Sequence, residues 1–103
     1  MDDREMQELA AKAAGYQVRW HDAWECFVHK DPHNIDNPPT IAGQRMVWVP
    51  LHDDGDALRM AVKLGLFMRQ AVKEIPRTEY EKDPYAATRR AIVRAAAEIG
   101  KKA

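Results

Sequence analysis

The chain has 103 residues, 16 acidic and 16 basic side chains, 46% hydrophobic residues and one cysteine. That length suits one domain rather than two separate cores, and the composition excludes a disordered or fibrous chain. No apolar run approaches the roughly 20 residues that cross a bilayer, Cys26 has no partner for an internal disulfide, and the acidic start from Met1 to Glu5 is unlike a signal peptide, so the expectation is a cytoplasmic protein without a membrane partner.

The first helix is expected over about Asp3–Ala14. Asp2 or Asp3 can cap it, Met6, Leu9, Ala10 and Ala13 follow at helical spacing, and Gly15 can close it in the left-handed conformation. The period then changes to two. Tyr16, Val18 and Trp20 alternate with polar residues, His21–Asp22–Ala23 is a turn, and Trp24, Cys26 and Val28 alternate again, which predicts a hairpin. Proline, asparagine, aspartate and glycine crowd the next stretch, predicting an irregular loop over about residues 30–45 that is a candidate contact surface. Met46–Val49 returns to strand character and Pro50 ends it.

Asp53, Asp54 and Asp56 precede a second helix, with Asp54 read as the capping residue. Leu58, Ala61, Val62 and Gly65 form one stripe, widened by Met60, Leu64, Phe67, Met68 and Ala71; Gly65 either permits close packing or marks an early end, and the helix is extended to about Val72. Pro76–Lys82 is a polar connector. Asp83–Pro84 then starts a third helix, aspartate at the cap and proline at the first turn, where its missing N–H costs nothing. Tyr85, Thr88, Ile92, Ala95 and Ile99 are expected on its buried side, and Gly100 at its stop. The fold class expected is α+β: three helices packed about a small, mainly antiparallel three-stranded sheet, an α-β-α sandwich filling residues 1–103.

Candidate chemistry is sparse. Cys26, His29 and His33, with His21 nearby, have the residue types of a metal site but not the paired knuckles of a structural zinc site. The three aspartates near residue 54 fail the calcium-loop pattern, because the twelfth position counted from Asp53 is Leu64 rather than glutamate. The chain has no serine, and no cysteine–histidine pair sits in a setting that would activate the thiol. No catalytic residue, metal or cofactor is therefore assigned.

Charge offers one more signal. Residues 1–56 carry eleven acids and five bases, residues 57–103 the reverse, and Arg89, Arg90, Arg94, Lys101 and Lys102 concentrate on the third helix. Those five are the candidate contacts for nucleic acid or another partner. The location of Trp20, Trp24 and Trp48 discriminates: an exposed apolar patch of tryptophans favours a protein interface, an all-buried set beside an arginine-lined face favours nucleic acid.

Three segments, REMQELAAKAAGYQVRW, WVPLHDDGDALRMAVKLG and DPYAATRRAIVRAAAEIGK, together resemble the phage ABA-sandwich domain family of small phage and prophage proteins. The likeness covers most of the chain and is specific at Trp48, Pro50–Leu51, Asp53–Leu58, Ala61–Leu64 and Ala86–Gly100. It fades over Asp22–Arg45 and over Gln70–Lys82, where the family carries strand-like sequence and MRQAVKEIPRTEYEK favours a longer second helix. The resemblance implies an α-β-α fold and a phage or prophage origin, and it transfers no catalytic residue. The function expected is that of a non-enzymatic accessory protein working through protein contacts, phage or host, with possible self-association; the alternative is a nucleic-acid-associated regulator using the basic third helix.

Overall fold

A computed structural model describes residues 1–29, 39–40, 43–44, 47–66 and 68–102. In chain order these form α1 (Asp3–Ala14), β1 (Val18–His21), β2 (Cys26–His29), β3 (Pro39–Thr40), β4 (Gly43–Gln44) and β5 (Val47–Trp48), then α2 (Asp54–Leu64), α3 (Met68–Lys73), α4 (Arg77–Lys82) and α5 (Pro84–Lys102). The fold is α+β, as expected: a three-stranded antiparallel sheet ordered β1-β2-β5, with helices packed against it. Strands β3 and β4 make a separate two-stranded ladder, so the expected loop over residues 30–45 is not wholly irregular. The remainder of that loop, and Met46 of the expected third strand, lie outside the described residues.

Local chemistry explains the helix ends. Asp2 Oδ1 accepts from the Glu5 amide at 2.8 Å, which satisfies one of the free donors at the start of α1. Gly15 then turns into the left-handed region at φ 77°, and the amides of Gly15 and Tyr16 return to the carbonyls of Lys12 and Ala11. Gly65 repeats this closure at φ 64°, with Leu66 N donating to Ala61 O. The second helix therefore stops at Leu64 instead of running to about Val72. Side chains at Gly65 would be strained, and the chain exploits that freedom to break direction before α3. The expected connector at Pro76–Lys82 also departs from the reading, because Arg77–Lys82 forms the short α4, braced by Arg77 and Glu81 at 2.9 Å.

The hairpin register corrects the strand alternation. A four-residue turn, in which Glu25 takes φ 51°, pairs Trp20 with Phe27 and Val18 with His29. Phe27 also faces Trp48 on β5. One sheet face thus carries Val18, Trp20, Phe27, His29 and Trp48, so the second strand contributes Phe27 and His29 to this face rather than the alternating Cys26 and Val28. Edge-to-face ring contacts join Trp20, Phe27, Trp48 and Tyr16 at centroid separations of 5.1–6.3 Å.

Helix α5 organises the helical side. Helices α1, α2, α3 and α4 all pack on it, and its buried positions are Ala87, Ala91, Ile92, Val93, Ala96, Ala97 and Gly100. Against them α1 turns Met6, Ala10, Ala11 and Ala14. Small residues on both sides let the two backbones approach closely. Gly100 does not stop the helix as expected but lies buried inside it, where a Cβ would sit 2.0 Å from the Leu9 carbonyl oxygen.

The same geometry overturns part of the predicted core. Ile92 is buried, but Leu58, Val62, Tyr85 and Ile99 are exposed. Of the expected α2 stripe Met60 and Ala61 are buried, joined on the inward side by Ala57 and beside the buried Asp56. Gly100→Ala should force α1 and α5 apart and cost about 2–3 kcal/mol, as overpacking does in a filled interior. The check is thermal unfolding, where that loss lowers the midpoint by roughly 10 °C or more; an unchanged midpoint contradicts the close approach.

Candidate functional site

The turn from β5 into α2 carries the most concentrated polar chemistry. The motif Val49–Asp56 contains one buried carboxylate, Asp56, and its neighbours account for its burial. Asp56 Oδ2 accepts from Val49 N at 2.9 Å, and its Oδ1 receives the Arg59 guanidinium at 2.7 Å. The amide of Asp56 in turn donates to Asp53 Oδ2 at 2.7 Å. Asp53 is therefore the cap of α2, one residue before the expected Asp54. Asp54, the first helical residue, instead points to Arg89 Nη1 at 2.7 Å. The N–H groups of His52 and Asp53 both return to the Val49 carbonyl, which tightens the turn.

Arg89 fastens this turn to α5. Its Nε donates to the Leu51 carbonyl at 2.9 Å while Nη1 holds Asp54. Most of its side chain is buried. Arg90 reaches across to Asp3 on α1, and Lys101 lies 3.4 Å from Glu98. Arg94 is exposed in a shallow groove with Glu74 and Glu98, and Lys102 is exposed at the end of α5. Of the five candidate basic residues, Arg89 and Arg90 are thus engaged in holding the fold, and Lys101 and Arg94 have acidic neighbours. Asp83 caps α5, accepting from Ala86 N at 3.0 Å. These roles come from ion pairs 35 and 87 residues apart in sequence, so no local pattern could reveal them.

The tryptophans fit neither expected pattern. Trp48 is buried, its Nε1 without an acceptor among the described residues. Trp20 is half-buried beneath the Arg4 guanidinium at 4.6 Å, and Trp24 is exposed, stacked on His21 at 4.4 Å. Cys26 follows this turn, and partial burial raises its thiol above the usual pKa, which disfavours the nucleophilic thiolate. His29 is buried against Tyr16 at 5.8 Å, and His33 lies outside the described residues. Among the described residues no three histidine, cysteine or acidic side chains converge as a metal site, and no helix is long and apolar enough to cross a membrane.

The surface that does gather apolar side chains is a groove of about 460 Å³ between α2, α4 and α5. Ala57 and Leu58 form one wall, Pro84, Tyr85, Thr88 and Ile92 the other, and Tyr80 closes one end. Its two charged lining residues, Asp54 and Arg89, are the pair already described. Of its lining residues Tyr85 is 69% exposed and Leu58 55%, and Val62, four residues beyond Leu58 on α2, is 73% exposed. These residues belong to the stripes that the sequence reading assigned to the core: the periodicity was legible, but not which side of each helix meets the other.

No protein-family model, curated protein or solved structure matches the chain.

Asp56→Ala should destabilise the fold by about 2–3 kcal/mol, because it strands the Val49 N–H and the Arg59 charge. Asp56→Asn keeps an acceptor for Val49 and should cost less. Urea midpoints for the two variants check this order; equal losses, or none, contradict it.

Proposed function

We propose that this chain is a non-enzymatic protein-contact module, an accessory protein of phage or prophage origin acting in the bacterial cytoplasm. The observation that carries the contact reading is the apolar groove between α2, α4 and α5, with Leu58 and Tyr85 exposed in its lining and Val62 exposed four residues beyond Leu58 on α2. Exposed apolar residues gathered on one face are the usual mark of an interaction surface, and tyrosine is favoured at such surfaces because it buries a large ring with a polar tip. The phage origin rests on the sequence resemblance alone.

The groove suits an amphipathic helix. It runs along α5 from Pro84 to Ile92, a span of about 12 Å at the rise of an α-helix. A partner helix presenting apolar residues at i, i+3 or i+4 and i+7 fills such a furrow. The nucleic-acid alternative has less behind it. A phosphate backbone is followed by cations free to reach it, whereas Arg89 and Arg90 are engaged with Asp54 and Asp3.

Selection of the purified protein against a library of helical 16-residue peptides tests the reading. Expected is enrichment of peptides with one apolar stripe, whose binding Val62→Asp abolishes and Arg94→Glu leaves intact. Failure to enrich any amphipathic sequence, or equal sensitivity to both substitutions, contradicts it.

A further inference from the structure

We infer that the amphipathic helix seated on this face is α2 of a second copy of the chain, so that the protein forms a two-fold dimer through α2 and the adjoining groove. The inference rests on the contact reading above and names its occupant. A two-fold interface uses one patch on both subunits, and so needs a patch that is its own complement. This face has both parts. Leu58 and Val62, four residues apart, form an apolar ridge on α2, and the furrow beside them is walled by Ala57, Pro84 and Ile92. Two copies with their α2 helices antiparallel place each Leu58–Val62 ridge beside the other's furrow, and Tyr80 and Tyr85 close its margin.

Charge supports the same occupant. Around a two-fold axis a patch meets its own charges, so an unbalanced patch repels its copy. Here the charges on and beside α2 are already answered within the chain: Asp54 by Arg89, Asp56 by Arg59, and Lys63 by the face of Tyr16 at 4.8 Å. A charged partner would find little to pair with, whereas a second copy brings an equally neutral, apolar ridge.

Area sets the strength. Nine residues line the groove, and Val62 stands exposed on α2 four residues beyond Leu58, against about 20–30 residues per side in a standard stable interface. The dimer is therefore weak and forms reversibly with concentration.

Sedimentation velocity of the full chain across low-micromolar to high-micromolar concentrations tests this. Expected is a reversible monomer–dimer equilibrium, weakened about 30-fold or more by Val62→Asp, the scale of losing a central contact, and unchanged by Trp24→Asp on the hairpin turn. Circular dichroism of each variant checks that the fold is kept, and Leu58→Asp should act as Val62→Asp does. A chain that stays monomeric throughout, or a dimer that survives both α2 substitutions, overturns the inference. If the monomeric chain still binds helical peptides in a Val62-dependent way, the second copy is the wrong occupant and the contact surface itself stands.

Discussion

The close seam between α1 and α5 is the constraint on which the rest of the structure depends. Ala10, Ala11 and Ala14 face Ala96, Ala97 and Gly100, and the absence of side-chain bulk at Gly100 lets the Leu9 carbonyl approach where a methyl group could not fit. Buried alanines contribute less hydrophobic area than leucines would, but they bring two backbones close, and close packing multiplies small dispersion contacts. Once α1 is fixed on α5, the aromatic sheet face, with Trp48 and Phe27 at its centre, meets one continuous core with Met6, Met60 and Ile92.

A second tie determines where α2 lies. The β5–α2 turn is held internally by Asp53 and Asp56 and externally by Arg89, whose guanidinium joins a backbone carbonyl to a helix-terminal carboxylate. Hydrogen bonds to charged groups are stronger than neutral ones, and a mostly buried arginine with two acceptors is difficult to displace. The position this imposes on α2 presents Ala57, Met60 and Ala61 to the core and leaves Leu58 and Val62 outside. The exposed ridge is thus a consequence of how the turn is pinned. The structural arginines and the contact surface are linked in the same way, because the pair that would otherwise read as a basic patch is the pair that positions the groove.

Much of the fold was legible in the sequence, for identifiable reasons. The bounds of α1, its glycine closure and the aspartate–proline start of α5 follow from local chemistry of capping, and the structure has them at the expected residues. The sheet was legible as a pattern of alternation, but its inward parity was not, because Val28 is buried as well as Phe27 and both registers look hydrophobic. The break at Gly65 was legible as one of two readings of that glycine, but the apolar residues continuing beyond it favoured a longer helix. The groove was least legible. A helix with apolar residues on two sides does not reveal which side is used, and in α2 Ala57, Met60 and Ala61 went inward while Leu58 and Val62 stayed out. Arg89 was singled out for its charge, yet its place in the fold depends on Leu51 and Asp54, which sequence spacing cannot connect.

Native-state amide hydrogen exchange measures the central claim directly, since it reports the free energy at which each segment opens. If the α1–α5 seam is the foundation, amides of Ala10, Ala11, Val93, Ala96 and Ala97 exchange only through global unfolding, with one shared denaturant dependence, while α3 and α4 open at lower free energy. Exchange of α1 through a separate, lower-energy opening while α5 remains protected would contradict the account.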